Sequence, residues 1–335
     1  MKREDSRLSV VTTIFPYYDF IRQVGGDRIR LSMVVPAGMD SHSFEPTPGD
    51  MKLIQEGDIL ICNGGSMEHW VREVQQAIDT SNMEILTMMD YVDLFEEEHV
   101  EGMEESHEKG DHESHTVAEE NYALGKNGTY HGSLYREEPY DSPMEFHTIY
   151  DEDRQEHAME YDEHIWTSPA NAIKIVAKIE ETLKKADPAG AEEYEARSKE
   201  YQRKLRKLDK EFQEVMKIRK RNMVVLGDKF PFRYLVEAYD LDYRAAFSGC
   251  STDTEPSART IAYLIEKVRE EQIPAVYYLE LSSPRVAEII YEETGAKPLL
   301  LHSCHNVTRM EFESGITYLE LMEGNVENLR KGLDE

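Results

Sequence analysis

The stretch ADPAGAEEYEARSKEYQRKLRKLDKEFQEVMK, residues 186–217, decides how this chain is organised. Asp187 is a favourable helix N-cap, and Pro188 suits the first helical position, where its missing N–H costs nothing. Apolar residues then recur at helical spacing: Tyr194, Tyr201, Leu205, Leu208, Phe212 and Val215. About thirty helical residues span roughly 45 Å. We therefore predict a strut that joins two lobes and has a ligand cleft beside it. A long helix inside one domain is the alternative.

Strands and helices alternate on both sides of this stretch. The predicted strands lie at residues 8–14, 29–35, 59–62 and 85–87 before it, and at 223–226, 243–247, 275–280 and 298–301 after it. Such alternation predicts parallel sheets that are covered by helices. We expect an α/β fold with two lobes, each a roughly four-stranded parallel sheet, joined by one long helix. The predicted boundaries are 7–186 for the amino-terminal lobe, 187–218 for the linking helix and 219–335 for the carboxy-terminal lobe.

Residues 93–163 interrupt this alternation. From Glu96 to Glu163 the sequence holds 22 acidic and 4 basic residues, a net charge of -18 within a total of -29. The segment has too few apolar residues to fold by itself, so we predict a disordered acidic insertion in the amino-terminal lobe.

The bulk composition excludes several classes of protein. A formal charge of -29 repels nucleic acid phosphates and anionic lipid surfaces, and attracts cations. No segment is long and apolar enough to cross a bilayer. The polar residues after Met1 are not a signal peptide, which fits either a cytoplasmic protein or a mature exported protein without its leader. Three cysteines do not form a disulfide framework.

Ligands of parallel sheets bind beyond the carboxyl ends of the strands, and several polar residues lie there. His42 follows the second strand in a loop rich in proline, His164 directly precedes a helix, and His302 and His305 follow the last strand. Each of these histidines also has a purely structural interpretation, as a solvent-facing or loop-capping side chain. The insertion adds seven more, interspersed with carboxylates, a composition that can hold borderline metals weakly or can simply keep a linker soluble. They are His99, His107, His112, His115, His131, His147 and His157.

Several segments together resemble one family, the metal-specific solute-binding lipoproteins of ABC importers, in its zinc-binding subgroup with a His-rich loop. VVTTIFPYYDFIRQVGGDRI (residues 10–29) resembles the opening strand and helix of that family. VVPAGMDSHSFEPTPGD (34–50) resembles its first metal loop, and DEHIWTSPANA (162–172) its second histidine element. A His-rich insertion between these elements and a single long linking helix are also typical of the family.

The resemblance implies a metal site with His42 and His164 from the first lobe. The second lobe departs from the family pattern, because GDKFPFRYL (227–235) lacks the usual histidine. Asp228 is the nearest potential ligand there, although water or another side chain could replace it. His302 lies where the family has its last ligand, usually a carboxylate, with His305 close by. We therefore predict the site His42, His164, His302 and Asp228, with Glu280 and His305 as alternatives in the second lobe.

The resemblance also implies a function. The ion would be Zn²⁺, with Mn²⁺ possible if the site is richer in oxygen. The partner would be the permease of an ABC importer, and the chain would be an extracytoplasmic, lipid-anchored monomer and not an enzyme. A surface adhesin or metal-buffering protein is the alternative, and a zinc hydrolase with Glu45 or Glu280 as base a more remote one. Cys250 and Cys304 both follow strands of the second lobe, which suggests a disulfide between them.

Overall fold

Two parallel sheets lie at the centre of the two lobes in the computed structural model, which describes residues 6–103, 160–251 and 255–334. The amino-terminal sheet has the strand order β2-β1-β3-β4. Its strands are β1 (Leu8–Thr12), β2 (Ile29–Met33), β3 (Ile59–Cys62) and β4 (Glu84–Thr87). Its helices are α1 (Phe15–Gly25), α2 (Pro48–Gln55), α3 (His69–Ala77) and α4 (Pro169–Ala186).

The carboxy-terminal sheet repeats this topology with the order β6-β5-β7-β8, again parallel throughout. Its strands are β5 (Met223–Phe230), β6 (Asp242–Ser248), β7 (Ala275–Tyr278) and β8 (Lys297–Leu300). Its helices are α6 (Arg233–Tyr239), α7 (Ala258–Glu270), α8 (Arg285–Thr294), α9 (Arg309–Ser314) and α10 (Tyr318–Asp334). The predicted fold, two four-stranded parallel sheets flanked by helices, is confirmed. The short helix α9, which begins with a capping box at Thr308, was not predicted.

The predicted strut is the helix α5, Ala191–Ile218, whose 28 residues span about 42 Å. All six residues of its apolar stripe are buried. It packs against α1 and α4 of the first lobe and against α6 and α10 of the second. Its predicted start is wrong, because Pro188–Gly190 form a 3₁₀ turn before the helix. The Asp187 carboxylate does not cap α5 and instead accepts hydrogen bonds from Tyr194 and Arg28.

One hydrophobic core extends from the first sheet, along α5, into the second lobe, and includes Val10, Leu60, Leu208, Leu226 and Leu329. A smaller cluster of buried residues lies between the second sheet and the helices α7 and α8. All described residues belong to one compact unit. No described helix combines the length and the apolar character that crossing a bilayer requires.

The predicted insertion spans residues 93–163, but both of its ends are part of the described structure. Glu96 and Tyr161 form an antiparallel bridge, and Phe95 packs against the ring of Tyr234 in the second lobe. Residues up to 103 and from 160 onward therefore belong to the ordered body of the protein. The remainder of the insertion, with every one of its histidines except His99, lies outside the described residues.

The suggested disulfide is also not formed, because Cys62, Cys250 and Cys304 are all free thiols. Cys304 is completely buried in the turn after β8. Cys250 is half-buried, and its backbone N–H donates to the carboxylate of Glu97, 3.0 Å away. None of the three thiols is therefore bonded to another cysteine.

Candidate metal centre

A cavity of about 180 Å³ opens between the two lobes, beyond the carboxyl ends of their strands. Side chains from both lobes line it, and seven of them are histidines or charged residues. These seven are Asp40, His42, His164, Asp228, Lys229, Glu280 and His305. A cavity at the carboxyl ends of strands is where parallel α/β sheets bind ligands.

Three imidazoles converge in this cavity. His42, His164 and His305 each offer a ring nitrogen, and these three atoms lie within 4.8 Å of one another. The centroids of the His164 and His305 rings, which belong to different lobes, are 5.7 Å apart. In the described part of the chain this is the only group of three or more His, Cys, Asp or Glu residues so arranged. A small inward movement of the three side chains would allow each nitrogen to bind the same Zn²⁺ at a Zn–N distance of about 2 Å.

His42 lies in the loop that joins β2 to α2. The backbone N–H of His42 donates to Oδ1 of Asp40, 3.0 Å away. The loop ends in a capping box between Thr47 and Asp50, which starts α2. At its other end the N–H of Gly38 donates to the carbonyl of Val307 in the second lobe, 2.7 Å away. These hydrogen bonds hold the His42 loop against the opposite lobe.

His164 is completely buried at the start of a 3₁₀ turn that leads into α4. Oδ1 of Asp162 accepts a hydrogen bond from the backbone N–H of His164 at 2.8 Å and lies 3.3 Å from its Nδ1. We assign the ring proton to Nδ1, because a carboxylate can only accept. Nε2 of His164 then keeps its lone pair for a metal ion, and Asp162 fixes the orientation of the ring.

His305 follows β8 in the second lobe. Its backbone N–H donates to the hydroxyl of Ser303 at 3.1 Å, and its ring lies against that of Trp166, with centroids 5.3 Å apart. The hydroxyl of Ser41, from the first lobe, hydrogen-bonds to Nε2 of His305. The position of this imidazole is therefore set from both sides of the cavity.

The protonation of the three rings differs. Burial, with the charges of His164 and Lys229, lowers the pKa of His42 to about 4. Burial and the charges of the other two histidines lower the pKa of His305 well below its ordinary value. Burial also lowers the pKa of His164, but the charge and hydrogen bond of Asp162 raise it more, so the net direction is upward. At neutral pH, His42 and His305 are thus uncharged bases that can bind a cation.

His302, one of the predicted ligands, is not part of this group. Its backbone N–H and C=O are both bound by the side-chain amide of Asn325 at 2.7 Å. Nδ1 of His302 accepts from the backbone N–H of Cys304 at 2.9 Å, and the ring is buried. His305 therefore lines the cavity, whereas His302 stabilises the turn that precedes His305.

Asp228, the other predicted ligand of the second lobe, does line the cavity. It lies at the irregularity in β5 between Leu226 and Lys229, where the register with β6 shifts. Oδ1 of Asp228 accepts from the backbone N–H of Lys229 at 2.8 Å. Oδ2 is buried and has no hydrogen-bond partner in the described residues. Asp228 thus borders the cavity but lies outside the group of three imidazoles.

Sequence reasoning missed the residues that hold the three histidines in place. Asp162 had a signal, because a carboxylate two residues before a histidine can bind both its backbone and its ring. Ser41, Trp166 and Ser303 had none, because they act across the cleft or across a turn. The Trp166 indole, for example, donates to the carbonyl of Ser303 in the other lobe at 2.8 Å.

Comparison with known proteins finds one matching family model and related zinc-binding proteins. Residues 10–332 match the family model described as zinc-uptake complex component A, periplasmic (ZnuA). The high-affinity zinc uptake system protein ZnuA of Bacillus subtilis is 29% identical over 327 residues, which cover 98% of this chain and 88% of that protein. The zinc-binding lipoprotein AdcA of Streptococcus pneumoniae is 29% identical over 335 residues, all of this chain but 57% of AdcA.

Solved structures agree with these sequence matches. The Zn(II)-bound ZnuA-like domain of Streptococcus pneumoniae AdcA superposes with a TM-score of 0.70 at 25% identity, covering 98% of this chain and all of that domain. The metal-dependent lipoprotein YcdH of Bacillus subtilis gives a TM-score of 0.72 at 26% identity, with 98% of this chain and 100% of YcdH covered.

Proposed function

Because this chain belongs to the ZnuA family of periplasmic zinc-uptake components, we propose that it captures Zn²⁺ outside the cytoplasm and delivers it to an ABC importer. One observation carries the proposal: the convergence of His42, His164 and His305 from two lobes into one cavity. A single chain supplies all three imidazoles, so we propose that the functional unit is a monomer. We also propose that a lipid anchors the native protein to the membrane.

The donor set favours zinc. Three imidazole nitrogens suit the tetrahedral site of Zn²⁺, whereas Mn²⁺ prefers more oxygen ligands. We propose His305 as the ligand of the second lobe in place of His302, because His305 belongs to the group of three imidazoles and lines the cavity, whereas His302 does neither. Asp228, which lines the cavity and has an unpartnered Oδ2, is the candidate for a fourth ligand. If Asp228 does not reach the ion, water completes the coordination.

An ion bound by these residues would bridge the lobes. His42 and His164 belong to the first lobe and His305 to the second, and further hydrogen bonds already join the two sides. Nδ2 of Asn306 donates to the carbonyls of Pro36 and Met39 at 2.8 and 2.7 Å. Because α5 also packs on both lobes, we expect capture and release to involve small local movements.

Capture fits the cavity better than hydrolysis does. A zinc hydrolase needs a general base near the metal-bound water. Of the two carboxylates considered for that role, Glu45 is exposed and does not line the cavity. Glu280 lines it, but both of its oxygens accept hydrogen bonds from Ser303. Neither of these two carboxylates is therefore a free base beside the ion, which favours capture over hydrolysis.

The test is a titration of metal-stripped protein with Zn²⁺ and Mn²⁺, followed by native mass spectrometry and elemental analysis. We expect one tightly bound Zn²⁺ per monomer and weaker binding of Mn²⁺. His42→Ala should lose the tight ion, whereas His69→Ala, on the exposed face of α3, should keep it.

A matched pair of variants decides between the two histidines of the second lobe. The Asn side chain in His302→Asn keeps an acceptor for the N–H of Cys304, so this variant should retain tight Zn²⁺. His305→Asn removes a proposed ligand and should lose it. The opposite pattern would return His302 to the site, and tight binding in all variants would place the site elsewhere in the chain.

A further inference from the structure

Glu280 borders the metal cavity directly after β7, but its carboxylate faces the turn that carries His305. Its side chain is only 8% exposed. Oε2 of Glu280 accepts from the backbone N–H of Ser303 at 2.7 Å, and Oε1 accepts from the hydroxyl of the same serine. One carboxylate thus holds one serine by two hydrogen bonds.

Ser303 passes this restraint on to the proposed ligand. Its hydroxyl donates to Glu280 and accepts from the backbone N–H of His305 at 3.1 Å. A continuous set of hydrogen bonds therefore runs from Glu280, through Ser303, to the backbone of His305. Loss of the Glu280 carboxylate or of the Ser303 hydroxyl would interrupt this set of hydrogen bonds.

The turn between Ser303 and His305 needs such a restraint. Cys304 has a φ of 60°, in the left-handed region that side chains other than glycine rarely adopt. Leu281, which directly follows Glu280, has a φ of 57°. Conformations of this kind persist only where surrounding contacts enforce them. Both strained residues adjoin the Glu280–Ser303 hydrogen bonds.

We infer that Glu280 is a positioning residue for metal capture, which sets the place of His305 through Ser303 and does not itself coordinate the ion. The inference rests on the proposed function, since it takes His305 as a ligand. Glu280 is outside the group of three imidazoles, and both of its oxygens are already engaged by Ser303. Outer residues that orient a ligand typically contribute 10–100-fold to metal affinity.

A double-mutant cycle tests this on the full chain, with Glu280→Gln, Ser303→Ala and the combination of both. The readouts are Zn²⁺ affinity, by competition with a chelator, and the visible spectrum of bound Co²⁺, which reports coordination geometry. Each single variant should lose about 10–100-fold in affinity and change the Co²⁺ spectrum. The double variant should lose no more than the weaker single variant, because both interrupt one pathway. Ser303→Thr, which keeps a hydroxyl, should restore affinity.

Two patterns would overturn the inference. If the two losses multiply in the double variant, Glu280 acts on the ion independently of Ser303. If only Glu280→Gln weakens binding, its charge or direct ligation is what matters. Glu292→Gln, an exposed carboxylate on α8, controls for the loss of one negative charge in the same lobe and should bind as the wild type does.

Failure of the proposed function can be told apart from failure of this inference. Retention of tight Zn²⁺ by His305→Asn would overturn the ligand set and the inference with it. Loss in His305→Asn together with multiplying effects in the cycle would overturn the inference alone. The thermal midpoint of each variant shows whether it is folded, and Ser303→Ala and Ser303→Thr suffice for the decision if Glu280→Gln does not fold.

Discussion

Glu68 is a buried carboxylate in the first lobe that serves a loop and not the metal cavity. Its Oε2 accepts hydrogen bonds from the backbone N–H groups of Asn63 and Gly64, at 2.6 and 3.1 Å, in the loop that follows β3. Only 3% of the residue is exposed. Burial raises the pKa of Glu68 from 4.5 to about 7, and the nearby charge of Glu163 adds to this effect, against the two backbone hydrogen bonds. A carboxyl group at this position therefore titrates close to neutral pH.

This pKa predicts a pH dependence of stability at the scale of one residue. Between pH 4.5 and about 7 the folded chain keeps a proton on Glu68 that the unfolded chain has lost. The free energy of unfolding therefore falls as pH rises through this window, by up to about 3 kcal/mol, and stays lower above it. Glu68→Gln keeps an acceptor for the loop and removes the titration. Its denaturant midpoint should fall less between pH 5 and pH 8 than that of the wild type.

Glu73→Gln, on the exposed face of α3, is the control and should follow the wild-type pH profile. An equal fall in wild type and Glu68→Gln would show that Glu68 keeps an ordinary pKa in the folded protein.

At the scale of elements, helix α10 shows how packing and propensity act on the same residue type. Gly324 lies on its exposed side, where an added Cβ would have no atom within 4 Å. Gly332 lies two turns later on the buried side, where a Cβ would stand 1.9 Å from the hydroxyl oxygen of Tyr277 in β7. The first glycine is therefore a weak point of the helix, and the second allows the helix to approach the sheet.

The two glycines predict opposite effects of one substitution. Gly324→Ala should raise the free energy of unfolding by about 0.5–1 kcal/mol, because alanine loses less backbone entropy in a helix. Gly332→Ala should lower it by roughly 1–3 kcal/mol, because the new methyl group displaces Tyr277. Thermal midpoints of both variants measure the difference. A shift of both in the same direction would contradict this account of how α10 packs.

At the scale of the whole molecule, buried polar contacts outside the lining of the metal cavity join the two lobes. Asp19 of α1 is completely buried. Its Oδ2 accepts from the backbone N–H of Tyr318, at the start of α10, and from the hydroxyl of Tyr201 in α5, at 2.8 and 3.3 Å. Arg22 donates to the carbonyl of Ile316 at 2.6 Å. The first lobe, the linking helix and the last helix thus meet at one carboxylate, and the body that presents the three imidazoles is held together without the insertion.

This organisation predicts that the metal site survives removal of the His-rich insertion. The two ends of the insertion pair with each other. The backbone N–H of Glu97 donates to the carbonyl of Glu160 at 2.8 Å, and the backbone N–H of Asp162 donates to the carbonyl of Phe95 at 3.0 Å. Replacing residues 104–159 by a short Gly/Ser linker should leave one tight Zn²⁺ bound. Capture at scarce zinc should become weaker, because the removed segment carries 15 acidic and 4 basic residues, a net charge of -11 within the total of -29. Chelator competition measures the first effect and the rate of zinc uptake from dilute solution the second.

The same deletion with His305→Asn is the control and should lose the tight ion. Loss of tight binding on deletion alone would mean that the insertion supplies a ligand.

Local signals in the sequence were sufficient to predict the strands and the long helices, but not the short helix α9. The stripe from Tyr194 to Val215 identified the linking helix, and β-branched runs such as that in β1 identified strands covered on both faces. The start of α5 was misjudged because Asp187 is drawn to Arg28 and Tyr194, two partners that no local pattern reveals. Boundaries of this kind depend on tertiary contacts, which override capping preferences.

The sequence by itself determined the α/β class, the linking helix and two histidines of the first lobe, His42 and His164, as candidate ligands. The proposed choice of His305 over His302 as a ligand, three residues apart in one turn, rests on the tertiary structure. That turn is shaped by Asn325, by Glu280 and by the left-handed Cys304, so that one imidazole faces inward to the turn and the other faces the cavity. Sequence periodicity describes helices and strands, but the direction of a side chain in an irregular turn is set by contacts that are distant in the chain.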